Sequence, residues 1–258
     1  MRASNHGELG LIVLSSCKEL GGLVDERILQ LRAEEDDDKS YLVPIEEVRF
    51  SNGEGKIKLL DSVRGKDIYI LCDVGNYSCE YTMFGRSHCM GPDEHFQDIK
   101  RVLSAIGGKA DRVTVIMPLL YASRQHKRKG RESLDCAMAL KELENLGVHA
   151  ILTFDVHDPT IHNAIPGTSF ENIFPTYSML KCFIANEGAN IKKDNMTVIT
   201  PDTGAMDRAI YYANTLGVDV GMFYKRRDHT VVVNGKNPIV QHEYIGGPLE
   251  NKKVLIVD

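Results

Sequence analysis

The chain has 258 residues, 43% of them hydrophobic and 26% charged, with a formal net charge of −5. This is an ordinary globular composition, with length for one large or two small domains. The pI near 6.0 argues against a nucleic-acid or membrane-surface binder, whose footprint is basic. No apolar run is long enough to span a bilayer, and the N-terminus has no signal-peptide core. The six cysteines are Cys17, Cys72, Cys79, Cys89, Cys136 and Cys182. They include no Cys-x-x-Cys pair and read as reduced, buried thiols of a cytoplasmic protein. Cys79 with His88-Cys89 lacks paired metal-ligand spacing.

Residues 9–16 (L-G-L-I-V-L-S-S) predict a first strand. Residues 17–32 carry Leu20, Leu23, Val24, Ile28 and Leu31 at helical spacing, which predicts an amphipathic helix. The acidic run at 34–38 has no turn glycines and reads as a solvated loop rather than a metal site. Ser51-Asn52-Gly53 is a turn between extended segments, followed by a half-buried strand with Ile57 and Leu59 and a central one at 68–72. Gly53-x-Gly55 lacks the third glycine and the helix of a dinucleotide fingerprint. Residues 74–92 read as loop and Asp93 as a helix N-cap. Phe96, Ile99, Val102, Leu103 and Ile106 form one helical stripe, stopped by Gly107-Gly108. A strand at 113–120 follows, then a helix from near Ser133 with Cys136, Ala139, Leu140, Leu143 and Leu146 on its buried face.

Residues 149–159 predict a strand with a polar end, and 159–174 a loop that holds a domain boundary. Beyond it come a helix at 177–186, a strand and turn at 196–205, and a helix with Met206, Ala209, Ile210, Ala213 and Leu216 on one face. A strand at 218–227, a hairpin at 230–236 carrying Asn-Gly, and a last strand at 253–258 complete the chain. Alternating strands and helices predict an α/β fold with mainly parallel sheets in two halves, covered by helices on both faces. The boundary is placed at 163/164. The absence of G-x-x-x-x-G-K-[ST] disfavours a P-loop NTPase.

Polar clusters sit at the carboxyl ends of these strands, the edge where α/β sheets bind ligands. The first is Y-A-S-R-Q-H-K-R-K-G-R-E at 121–132. So much positive charge in one connection of an acidic chain predicts a phosphate clamp, or alternatively a solvated loop or a nucleic-acid patch. Like charges repel and nothing apolar anchors 123–131, so the loop is expected to be mobile until an anion orders it. Asp155, His157 and Asp158 offer ligands to a hard cation, or a helix cap and a hydrogen-bonded histidine. Asp202 and Thr203 form an N-cap or an anion site at a helix start. Lys225-Arg226-Arg227 is a solvated strand end or a source of charge for phosphoryl transfer. Alternation along a strand would turn Lys225 and Arg227 to one side and Arg226 to the other.

Taken in order, these segments resemble the ribose-phosphate pyrophosphokinase (phosphoribosyl diphosphate synthetase) family. F-S-N-G-E and S-V-R-G-K-D-I-Y-I are similar to its F-S-D-G-E and I-R-G-x-D-V-Y-I; the basic loop resembles its Y-x-R-Q-D-R-K-x-x-x-R-E. F-D-V-H-D-P, T-P-D-T-G-A and K-R-R resemble L-D-L-H-x-x-Q, S-P-D-x-G-G and the catalytic K-R-R. The resemblance implies two phosphoribosyltransferase-type α/β domains, at 1–163 and 164–258, the second incomplete. It implies magnesium, homo-oligomers (hexamers built from dimers), and transfer of the β,γ-diphosphoryl group of ATP to C1 of ribose 5-phosphate, releasing AMP. Carried over by position, Asn52, Gly53 and Glu54 would reach the adenine of a neighbouring subunit's ATP, and Arg124 and Gln125 would hold ATP. His157 and Asp202 would serve magnesium. Lys225 and Arg227 would serve transfer, with Arg227 and Asp258 at ribose 5-phosphate. Asp258 would open the family's acidic ribose-phosphate loop.

Four departures stand out: Asn52 and His126 each replace an Asp, Ala205 replaces a Gly, and 74–92 is longer than the family pattern. Two rival readings follow: a non-catalytic, regulatory relative that assembles with an active synthetase, and a phosphoribosyltransferase. The basic loop and F-S-N-G-E speak against the second.

Overall fold

The computed structural model describes residues 6–32, 39–128, 130–188, 191, 195–227 and 239–258, without the side chains of 225–227 and 239–242. The acidic run at 34–38 and the Asn-Gly hairpin at 230–236 lie outside the described residues. The chain divides into two units, Met1–Phe174 and Pro175–Asp258.

The first unit is built on a five-stranded sheet of β1 (Leu9–Val13), β4 (Asp67–Leu71), β7 (Arg112–Met117), β8 (Ala150–Phe154) and β9 (Ser169–Ile173), adjacent in that order. Every pair is parallel, so all carboxyl ends share one edge. Both faces are buried, which is why the central strands are continuous β-branched and aliphatic runs. Ile12, Ile70, Val115 and Ile151 stand level across the sheet. They pack under α2 (Pro92–Ile106) and α3 (Asp135–Asn145) in one core. Their neighbours Leu11, Leu71 and Ile116 face the opposite layer with α1 (Lys18–Arg32). Each such side chain taken from water contributes about 1.5–3 kcal/mol.

The layer under α1 differs from the helical stripe in the sequence. Leu20, Leu23 and Leu31 are exposed, while Gly21 and Asp25 are buried. A Cβ on Gly21 would lie 2.4 Å from a Val13 methyl carbon, so glycine lets the helix backbone approach β1 and sets which face turns inward. Asp25 is tolerated there because its carboxylate accepts from Tyr41 N and Ser40 Oγ, both at 2.8 Å.

Two antiparallel hairpins adorn this unit: β2 (Ile45–Arg49) with β3 (Gly55–Leu59), and β5 (Glu80–Met83) with β6 (Arg86–Cys89). The second lies inside the 74–92 segment read as loop. Its strands are polar and its two-residue turn is Phe84-Gly85 rather than Asn-Gly, so neither usual hairpin signal is present. The N-cap of α2 is Gly91, not Asp93. Pro92 is preset for the first helical position, and the Glu94 carboxylate accepts from Gly91 N at 2.8 Å. In α3, Leu146 is exposed rather than buried, because it already lies at the C-cap.

The first unit ends at Phe174 instead of 163, because β9 pairs with β8 and completes the sheet. β9 also falls in a segment read as loop; it is an edge strand of alternating exposure with little apolar content.

The second unit holds a smaller sheet in the order β12 (Ile239–Ile245), β11 (Asp219–Arg227), β10 (Met196–Thr200), β13 (Lys253–Ile256). β10 is parallel to β11 and β13, and β12 is antiparallel to β11, so this sheet is mixed. Met196, Val198 and Val257 pack with Leu180 of α4 (Thr176–Glu187) and with Ala209, Tyr212 and Ala213 of α5 (Met206–Leu216). Ile210, placed on the inner face by spacing, is exposed and Tyr212 takes the core position.

All six cysteines are free. Cys17, Cys72 and Cys136 are buried and Cys79 is half-buried, but Cys89 and Cys182 are exposed, against the expectation for all six. Among the described residues no helix is long and apolar enough to cross a membrane.

Candidate functional site

In the first unit, polar groups collect at the carboxyl edge of the five-stranded sheet. The basic loop leaves β7 at Tyr121, whose ring stacks on Phe96 of α2 with centroids 4.3 Å apart and planes 9° from parallel. The Tyr121 hydroxyl donates to Asp93 Oδ1 at 2.7 Å. Partial burial, and then that hydrogen bond, push the phenol up to about 12. A 3-10 turn at Ser123–Gln125 follows, entered through Ala122 at φ 53°. Gln125 Nε2 donates to Ser133 O at 2.7 Å and closes the loop across its neck.

His126 carries the contact that unites this edge. Its side chain is only 8% exposed. One ring nitrogen, Nδ1, lies 3.1 Å from Ser123 O. The other, Nε2, lies 3.0 Å from Asp158 Oδ2 without making a hydrogen bond, so the contact is one of proximity. The His126 ring meets the His157 ring edge-on, with centroids 5.1 Å apart at 73°. His157 itself is exposed just beyond β8. Asp158 caps the next 3-10 turn: its Oδ1 accepts from Thr160 N at 3.0 Å and Thr160 Oγ1 at 2.7 Å. These bonds, and to a lesser degree His126, hold its carboxyl below the usual range. Asp155 takes a left-handed backbone, φ 49°. The sequence reading found nothing apolar to anchor 123–131; His126 and Gln125 are polar anchors it missed, and the partners of His126 lie some thirty residues on.

The Asn52–Glu54 turn lies at the tip of the β2–β3 hairpin. Asn52 Nδ2 donates to Glu54 Oε2 at 3.0 Å and Glu54 N to Asn52 Oδ1 at 3.1 Å, so both side chains are held at the turn. Gly53 has φ 90°, and a Cβ there would lie 2.8 Å from Met83 Sδ, so only glycine satisfies both the turn and its neighbour. Among the described residues no hydrogen bond links Asn52 or Glu54 to Arg124 or Gln125.

Below this turn is a charged cavity of about 200 Å³, lined by residues that include Ser15, Glu47, Arg49, Cys79 and Tyr81. At its base Asp98, 7% exposed, pairs with Arg49 and with Arg101 Nη1 at 2.6 Å. Burial raises the Glu47 carboxyl, opposed by hydrogen bonds from Ser15 Oγ and N at 2.6 and 2.9 Å. Nothing in the local sequence marks this network, which joins β2, α2 and the segment after β1.

In the second unit the parallel strands bring Asp202, the 225–227 segment and Asp258 to one edge. Asp202 caps the start of the α5 segment: its Oδ1 accepts from Gly204 N at 2.9 Å, and its carbonyl from Thr200 Oγ1 at 2.8 Å. Arg208 donates to Asp258 O. In the β11–β12 ladder Lys225 stands opposite His242, and the register shifts between Arg226 and Arg227. The extra residue of this shift lies on β12, since Arg226 pairs with Gln241 and Arg227 with Ile239. Among the described residues no three His, Cys, Asp or Glu side chains form a metal cage.

An all-parallel sheet carrying a long basic loop, followed by a smaller sheet edged with acidic and basic residues, defines an α/β protein of the phosphoribosyltransferase type. Residues 9–147 match the N-terminal domain of ribose phosphate pyrophosphokinase, and the chain belongs to that family. It is 27% identical over 216 residues to a ribose-phosphate pyrophosphokinase of Ralstonia nicotianae, covering 81% of this chain and 59% of that protein. Against the ribose-phosphate pyrophosphokinase of Streptomyces coelicolor it is 25% identical over 219 residues, covering 84% and 60%. The chain thus spans about three-fifths of the length of these curated relatives. The phosphoribosylpyrophosphate synthetase of Mycobacterium smegmatis shares the fold, with a TM-score of 0.74 at 20% identity, over 97% of this chain and 71% of that one.

Proposed function

We propose that the chain carries out, or forms the ATP-holding part of a protein that carries out, magnesium-dependent transfer of the β,γ-diphosphoryl group of ATP to C1 of ribose 5-phosphate, releasing AMP. The observation that carries this reading is the meeting of His126 and His157, which joins the basic loop to the end of β8. A segment suited to polyphosphate thereby sits beside one suited to a cation. Arg124 and Gln125 hold the phosphates. Asn52, Gly53 and Glu54 bind adenine in a neighbouring copy, so the working form is a homo-oligomer, a hexamer built from dimers.

Magnesium keeps several waters and takes one or two side chains plus substrate phosphates. Exposed His157 in the first unit and the Asp202 carboxylate in the second are each a single ligand of that kind, and the mode needs no three-ligand cage. When bound, the ion neutralises charge on the phosphate oxygens. Lys225 and Arg227 supply fixed positive charge where the transferring group becomes more negative, and Arg227 with Asp258 orients ribose 5-phosphate. Such transfers depend mostly on positioning and electrostatics. A cytoplasmic setting suits the six free thiols. The test is turnover of Lys225→Ala: loss of a preorganised cation costs on the order of a hundredfold to a thousandfold in rate with ATP binding retained. Undiminished turnover would remove Lys225 from the reaction.

A further inference from the structure

Resting on the assignment of the Asn52–Glu54 turn to adenine, we infer that the β5–β6 hairpin supplies a further base-binding residue, Phe84, whose ring stacks on the purine of ATP. The hairpin occupies the 74–92 segment that is longer than the family pattern, and its tip is built onto the nucleotide turn. Phe84 N donates to Ser51 O at 2.9 Å. Met83 Sδ packs where a Gly53 side chain would begin. The Arg49 guanidinium lies over Tyr81 of the same hairpin, 5.6 Å from the ring centroid, and ties the hairpin to β2. The Phe84 backbone is therefore held on Ser51, the residue before Asn52, in the turn whose amide and carboxylate would read the edge of a base.

Phe84 itself is unusual on two counts. It is 76% exposed, although it is a large apolar ring. It also has φ 48°, followed by Gly85 at φ 77°. Two successive positive φ values make a two-residue turn of the kind that favours Asn-Gly, and a bulky residue there is a genuine outlier. A single exposed aromatic needs no explanation. An exposed aromatic kept in a strained position, and hydrogen-bonded through its backbone to the adenine turn, points to a function for the ring. The occupant that fits is the flat face of the base whose edge Asn52 and Glu54 address, since aromatic rings stack on bases with little dependence on sequence.

The decisive variant is Phe84→Asn, because Asn suits the left-handed turn and cannot stack. The thermal midpoint should stay the same or rise, while ATP affinity by equilibrium binding falls about fivefold to a hundredfold. Affinity for inorganic tripolyphosphate, which has no base, should not change. The chain contains no tryptophan, so Phe84→Trp places a single reporter at the tip; ATP should quench its fluorescence and tripolyphosphate should not. If Phe84→Asn leaves ATP affinity intact while Arg124→Ala weakens it, the stacking role is wrong and the ATP reading stands. If the wild-type protein binds no ATP, the adenine assignment fails and this inference fails with it.

Discussion

His126 of the basic loop lies edge-on to His157 of the segment after β8, with ring centroids 5.1 Å apart. Position 126 is an Asp in the family pattern. The imidazole exchanges that negative charge for a ring that fits between Asp158 and His157, and so pins the loop to the sheet edge. His126→Ala should free residues 123–131 without unfolding the unit. Limited trypsin digestion should then cut faster after Arg124, Lys127, Arg128 and Arg131, with the thermal midpoint little changed. Equal cleavage rates would show that Gln125 and the Tyr121 anchor suffice.

Arg124 is proposed to hold the ATP phosphates, since a guanidinium pairs bidentately with two oxygens. Replacement by Ala should weaken ATP binding by about 1.5–3 kcal/mol, roughly tenfold to a hundredfold. Titration calorimetry of the two proteins side by side measures this. An unchanged dissociation constant would reject the clamp.

Asp98 is the shared acceptor of Arg49 and Arg101 beneath the β2–β3 hairpin. Removing it strands two partly buried guanidiniums. Asp98→Ala should destabilise the protein by about 2–4 kcal/mol, below the full penalty for a broken buried pair because both arginines keep some solvent. Urea denaturation provides the value. A loss under about 1 kcal/mol would place this triad with ordinary surface pairs.

The sheet-forming segments were readable because their residues repeat a physical rule. Residues 68–72 and 113–117 are apolar apart from Thr114, as strands covered on both faces tend to be, and Gly107 ends α2 in the left-handed conformation its sequence suggested. The order of the polar clusters was equally plain, since each follows a strand. What stayed hidden depends on partners far away in the chain. Gly21 reorients α1 only because Val13 stands opposite it. The β5–β6 hairpin has polar strands and a turn without Asn, so no local preference announces it. The Arg49–Asp98–Arg101 triad and the His126–Asp158 contact join residues whose types are common on any surface.

Tyr121 gives the first unit an alkaline limit. Its hydroxyl is pushed up to about 12, by burial first and by the bond to Asp93 second, from an ordinary value near 10. Below about pH 10 the phenol is protonated in both folded and unfolded chains, and its contribution is complete. Between about 10 and about 12 the unfolded chain releases the proton and the folded chain keeps it, so stability falls as pH rises. Tyr121→Phe should lower stability modestly at neutral pH and flatten that decline, measured as urea midpoints across this range. Cys17 and Cys136, raised by burial to about 11 and about 12, leave a residual slope. An identical slope in the variant would show that neither burial nor the Asp93 bond holds the proton on Tyr121 in the folded chain.

The reaction itself is tested most directly by identifying its products. The protein is incubated with ATP, magnesium and ribose 5-phosphate, and the mixture followed by phosphorus NMR. The account predicts AMP and phosphoribosyl diphosphate in equal amounts, with no AMP when ribose 5-phosphate is omitted. ADP as the nucleotide product would contradict diphosphoryl transfer. ATP that binds but stays intact would contradict catalysis by this chain and leave the synthetase-associated, non-catalytic reading in its place.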